Sequence, residues 1–211
     1  MCEVKNYKEI DMDDNIWRFI YIAAMRDAVI QKAYVGDKKW TEQDKVYKVL
    51  KSIVEPLVLK VLDNKCLSQE EYDDELLKVT IAICEYMNSQ KECNKFTFGN
   101  SQKLVNMTMK YFYITCYSDD LKKENFRYCH CPVDSIMLQK VWSACRKKDK
   151  EKTNKKRDWF LQSWSKEEFD IDDNGDRKYP QRYYAFQQAV RYFCKNKKIS
   201  SIEFDFEEWD K

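Results

Sequence analysis

Three glycines and three prolines in 211 residues leave this chain few places to reverse direction. A β-sandwich or barrel needs turn chemistry about every ten residues, whereas long helices need little of it. The scarcity therefore points to an all-α fold, a compact multi-helix globular domain. Hydrophobic residues make up 44% of the chain and aromatics 15%, enough apolar surface for a sizeable core and too much for a disordered chain. At this length the expectation is one domain over residues 1–211, with helical lobes over 1–95 and 96–211 as one way of flanking a cleft.

Apolar spacing places the helices. Asp13 or Asp14 can cap a helix over 16–34, with Gly36 beyond it as a stop. Thr41 with Asp44 resembles a capping box ahead of Val46, Val49, Leu50 and Ile53. Pro56 should break or restart that helix, leaving a short piece over 57–62. Ser68 with Glu71 is a capping box opening a helix whose buried face is Tyr72, Leu76, Val79 and Ile83. A polar stretch over 88–97 precedes a strong helix over 99–117, and a connection over 118–131 leads to a helix that Asp134 opens and that runs through Trp142. Beyond it lie a short aromatic segment around Trp159, a capping-box signal at Ser165 to Glu168, a turn at Asn174-Gly175 and a last helix over 180–194. From Ile199 the tail alternates Ile202, Phe204 and Phe206 with acids, as a strand does.

Nine cysteines would suit a disulfide scaffold, but the count is odd and Cys84, Cys116, Cys145 and Cys194 fall inside apolar helical patterns. No signal peptide opens the chain and no apolar run approaches membrane-spanning length. The expectation is a reduced, cytoplasmic or nucleoid-associated protein without a membrane segment. A net charge of +2 conceals an asymmetry: residues 146–157 carry eight Lys or Arg against Asp149 and Glu151, while 199–211 form an acidic tail. The basic run suits either a solvated loop or a phosphate-tracking one.

Several chemistries lack their residues. With His130 the only histidine, a nucleophile–histidine pairing has a single option. No glycine-rich phosphate loop exists, and Cys129-His130-Cys131 has no second ligand pair for zinc, so neither a metal nor a cofactor is expected. What remains is Phe98-Gly99-Asn100-Ser101-Gln102-Lys103-Leu104-Val105-Asn106, with Cys131-Pro132-Val133-Asp134-Ser135 downstream. A polar turn running straight into a helix leaves backbone N–H groups at Gly99, Asn100 and Ser101 for an anion such as a nucleic-acid phosphate. Lys103 lies on the first turn, and Asn106 and Lys110 extend a polar stripe along the same face. Asp134 either caps its own helix or faces Lys103 across a cleft.

Gly-x-x-x-Lys at a helix start followed by Pro-Val-Asp opening a later helix resembles the catalytic region of the helix-hairpin-helix DNA glycosylases, and most closely the 8-oxoguanine glycosylases of the archaeal type. The resemblance covers about 45 residues, with Ser101 at the position of the second hairpin glycine. It implies a DNA glycosylase with lyase activity, in which Gly99 lies against DNA phosphate, Lys103 attacks the sugar carbon and Asp134 completes the site. The partner it implies is double-stranded DNA carrying an oxidised or otherwise modified base that is flipped out of the stack. His130, Lys110, Asn106 and Trp17 are candidates for the pocket. Phe19, Tyr21, Tyr111, Tyr113, Phe126 and Tyr128 are further aromatics that suit either a pocket or a core, and Arg182 and Arg191 offer DNA contacts from another side. Two other readings stand beside it: a non-catalytic helical module that binds nucleic acid or protein, and a small-ligand binder using the same polar residues.

Overall fold

The computed structural model describes residues 13–29, 43–65, 68–116, 119–148 and 157–209. Thr41, Gly36, residues 30–34, most of the basic run and the last two residues of the acidic tail lie outside them. The described chain runs α1 (Asp14–Val29), α2 (Asp44–Leu62), α3 (Gln69–Asn88), α4 (Phe98–Thr115), a short α5 (Asp120–Glu124) with a 3-10 turn (Asn125–Tyr128), and α6 (Ser135–Lys148). It continues through one turn of helix α7 (Arg157–Phe160), a 3-10 turn (Trp164–Lys166), strands β1 (Asp170–Ile171) and β2 (Arg177–Lys178), α8 (Gln181–Lys197) and α9 (Ser201–Trp209). The fold is all-α apart from the two-residue antiparallel hairpin, in which Gly175 takes φ +88° at the turn. No described helix is long and apolar enough to cross a membrane. No disulfide joins the described cysteines.

Local chemistry explains most boundaries. Ser68 Oγ accepts from Glu71 N at 3.0 Å and starts α3, whose Tyr72, Leu76 and Ile83 are fully buried. Pro56 does not break α2, which runs through it. The proline sits on the exposed side, as does Ser52, whose carbonyl it frees, and Leu57, Val58, Val61 and Leu62 beyond it are all buried. Burying four aliphatic side chains at ~1.5–3 kcal/mol each outweighs the ~3 kcal/mol that an interior proline costs.

The tail is helical, not a strand. Glu203 N donates to Ser200 Oγ (3.2 Å) while Ser200 N donates to Glu203 Oε2 (2.7 Å), a capping box that opens α9. Its buried positions are Ser201, Ile202, Phe204 and Asp205, a helical spacing that counts an acid among the core residues. The Ser165–Glu168 signal starts no α-helix: only a 3-10 turn forms there, and Glu167 turns its carboxylate to Arg182 at 2.9 Å.

Two apolar clusters build the interior. One joins α1, α2 and α3 to Leu104, Val105, Met109 and Phe112 of α4. The other joins α6 and α8 to Phe98, Phe160, Trp164 and Phe204. A boundary at 95/96 would part α4 from α1 and α3, against which it packs most closely, so α4 is shared between the two halves. Its remaining face, polar in sequence, is enclosed by the second half of the chain.

Candidate functional site

The start of α4 is closed, which corrects the expected phosphate anchor. Thr97 Oγ1 accepts from Asn100 N (3.2 Å) and Asn100 Oδ1 accepts from Thr97 N (3.1 Å), while Ser101 N donates to the Thr97 carbonyl at 3.1 Å. Gly99 N donates to the Glu167 carbonyl at 3.0 Å. Gly99, Asn100 and Ser101 are buried, and Asn100 Nδ2 reaches the Ala28 carbonyl of α1 at 2.7 Å. A Cβ on Gly99 would lie 1.8 Å from the Trp164 carbonyl oxygen, so glycine is needed here for the close passage of the 164–165 backbone. The donors that a phosphate would use are occupied by protein.

The polar stripe of α4 is real and buried. Lys103 is 5% exposed, Asn106 0% and Lys110 8%. Lys103 Nζ meets Asp134 Oδ2 at 2.7 Å across 31 residues of sequence, and its ammonium lies 5.6 Å from the centre of the Trp164 ring. Asp134 fills both roles considered for it: Oδ1 accepts from Met137 N at 2.8 Å, capping α6, while Oδ2 holds Lys103. Lys110 pairs with Asp205 of α9. Cys131 Sγ, three residues before Asp134, lies 3.9 Å from Asp205 Oδ1. Burial pushes the Asp205 carboxyl up despite the pull of Lys110, and it pushes the Cys131 thiol up beside two carboxylates, Asp205 and Asp134.

Two glutamines, neither singled out from sequence as a site residue, place the segment that carries Asp134. Gln102 Nε2 donates to the Val133 carbonyl at 3.1 Å, and Val133 N approaches Gln102 Oε1 at 3.4 Å. Gln187 of α8 grips Cys131 in the same manner, its Nε2 donating to the carbonyl at 2.8 Å and its Oε1 accepting from N at 3.2 Å. The backbone between α5 and α6 thus hydrogen-bonds to side chains where it has no strand partner. No local periodicity announces such a role, although Gln102 adjoins Lys103 in sequence.

The other expected pocket residues divide. Asn106 Nδ2 donates to Gln102 Oε1 and to Tyr183 Oη, both at 3.0 Å, and its Oδ1 is buried with no hydrogen-bond partner. Tyr183 Oη meets His130 Nδ1 at 2.7 Å, and His130 Nε2 lies 2.7 Å from Asp73 Oδ1. Burial lowers His130 in spite of the carboxylate, whereas Asp73, pushed up by burial, ends below its ordinary value through His130 and Arg191. His130 is therefore a buried link tied to the stripe through Tyr183. Trp17 is not part of the site: at 100° per residue, Leu104, Thr108 and Phe112 occupy the side of α4 opposite Lys103, and Trp17 packs there, 4.6 Å from Phe112. Tyr21, Tyr113 and Phe126 are core residues, while Phe19 is 71% exposed beside Ile16 and Ile114. Arg182 and Arg191 turn inward to Glu167 and Asp73 and present no cation to DNA.

A cleft of about 540 Å³ is lined by Trp159, Lys166, Phe169, Pro180 and Arg182, among others. It does not open onto Lys103 or Asp134. The turn bearing Trp164 lies over Lys103, whereas the Asp134 side chain remains 19% exposed. The turn is held by Thr97 Oγ1, which donates to the Ser165 carbonyl (2.9 Å), and by Arg182, which ties down the carbonyls of Phe160, Gln162 and Ser163. No known protein family, curated protein or solved structure matches this chain.

Proposed function

We propose that this chain is a DNA N-glycosylase with lyase activity, using Lys103 as nucleophile and Asp134 as its proton acceptor on an oxidised or otherwise modified base in double-stranded DNA. The observation that carries the reading is the 2.7 Å pairing of these two side chains, at the two positions where the resemblance puts the attacking lysine and the aspartate. Lys103 passes a proton to Asp134, and its lone pair attacks C1′ as the glycosidic bond breaks. The electron pair of that bond leaves with the base, which takes up the proton. The sugar ring opens as O4′ takes a proton from Nζ, leaving a protonated Schiff base between C1′ and Nζ. Loss of a C2′ proton to a general base then forms the C2′–C3′ double bond, and the C3′–O bond breaks with its electron pair leaving on the 3′ phosphate, which nicks the strand. Access to Nζ requires the Trp164 turn to lift, since Lys103 is 5% exposed beneath it. Bases whose pairing or stacking is weakened are favoured, because flipping them costs less than the few kcal/mol of an intact pair.

A second reading, a helical module that binds nucleic acid or protein without chemistry, is favoured by the occupied N–H groups at 99–101. Borohydride trapping separates the two. An oligonucleotide carrying 8-oxoguanine or an abasic site should become covalently attached to the wild-type chain, and Lys103→Gln should abolish the adduct. A salt-dependent mobility shift with no adduct would refute the enzyme and leave the module. Neither adduct nor shift would refute both the enzyme and the nucleic-acid module and leave a module for protein.

A further inference from the structure

Lys110 and Asp205 form a second buried ion pair on the same face of α4 as Lys103, two helical turns along and about 10 Å away by helix rise. Their side chains are 10% and 2% exposed. Asn106 lies between the two lysines along α4, and the Cys131 thiol, three residues before Asp134, touches Asp205. Lys103 thus sits in an enclosure holding two cations and two anions. Glu167 is paired with Arg182 and Asp73 with Arg191 and His130, while burial favours the neutral forms of Cys131, Tyr183 and His130. In such surroundings a unit charge 10 Å away is weakly screened, unlike one in salt water.

We propose that Lys110 and Asp205 are a positioning pair that sets how readily Lys103 gives up its proton, each cancelling the field of the other at Nζ. The idea rests on the reading of Lys103 as a nucleophile, because only a group that must become a neutral amine gains from this balance. With both charges present, a proton moves between Lys103 and Asp134 against no net field. Removing Asp205 takes an anion out of the enclosure and favours the neutral Lys103 amine. Removing Lys110 leaves the Asp205 anion uncompensated and favours the ammonium. The two substitutions, on one ion pair, therefore act on Lys103 in opposite directions.

The test is reductive methylation of the full chain by formaldehyde and cyanoborohydride at constant pH, read at Lys103 by peptide mass spectrometry. Asp205→Asn should speed the modification about tenfold and Lys110→Met should slow it about tenfold, the effect of one unit charge about 10 Å away at an effective dielectric near 20. The double variant should return to the wild-type rate. Acceleration in both single variants, which simple loosening of the core would give, overturns the proposal, as do unchanged rates. Should one single variant not fold, the other compared with the double variant decides the sign. Methylation needs no DNA, so this ordering is judged separately from the trapping of an abasic oligonucleotide by the wild-type chain, whose absence would sink the glycosylase reading instead.

Discussion

Replacing Asp134 by asparagine or by alanine separates its two contacts. Asparagine keeps an oxygen for the Met137 N–H, since Asn caps helices as well as Asp does, but loses the anion facing Lys103. Alanine loses both. Removing one member of a buried ion pair costs ~3–5 kcal/mol, and because the Asp134 side chain is 19% exposed and that of Lys103 7%, the lower end applies. Asp134→Asn should therefore lose about 3 kcal/mol, and Asp134→Ala about 4 kcal/mol once a cap worth ~1 kcal/mol is added. With a urea dependence of about 2 kcal/mol per molar, the unfolding midpoint should fall by ~1.5 M and ~2 M respectively. Adding Lys103→Met to Asp134→Asn removes the stranded ammonium and should bring the midpoint most of the way back. The assay is urea unfolding followed by tryptophan fluorescence and far-ultraviolet circular dichroism. A midpoint for Asp134→Asn equal to wild type would show that the pair is solvated and contributes nothing. Equal losses for the asparagine and alanine variants would remove the cap from the account, and failure of Lys103→Met to rescue would mean the loss does not come from an unpaired cation.

Two other outcomes follow from the same geometry. Gly99→Ala sets a methyl carbon 1.8 Å from the Trp164 carbonyl oxygen, where neither backbone can yield cheaply, so thermal unfolding should register a loss of about 3 kcal/mol; a melt superimposable on wild type would contradict the closed helix start. Burial holds His130 below its ordinary value of 6.5, so as pH falls the unfolded chain takes up this proton before the folded one does. The stability His130 contributes is complete above that ordinary value and is lost as pH drops towards the lower folded one, and His130→Gln should flatten the decline that sets in below pH ~6.5 in denaturant titrations. Parallel slopes for the two proteins would refute the buried neutral histidine.

How far the sequence could be read depended on whether a signal was local. The Ser68 cap on Glu71 N and the Asn174-Gly175 turn are complete within a few residues, and both appear where the pattern put them. Pro56 misled because its effect depends on which face of α2 meets solvent. The tail misled because Asp205, read as a solvent-facing acid, is buried against Lys110, so its true periodicity was masked. The Ser200–Glu203 box is present in the letters and favours a helix over the alternation. Lys103 and Asp134 were named from their motif, and the structure joins them; the phosphate anchor at Gly99 failed because the chain that occupies it comes from residues 164–167.

By itself the sequence determined that the chain is helical, where most helices begin, and which α4 residues form a polar face, because capping and periodicity act over one or two turns. Only the tertiary structure decided that this face is buried, that Asp134, Asp205 and Tyr183 pair with it, and that Trp17 lies on the far side. Those facts depend on segments distant along the chain, and a buried charge looks the same as an exposed one until its partner is known.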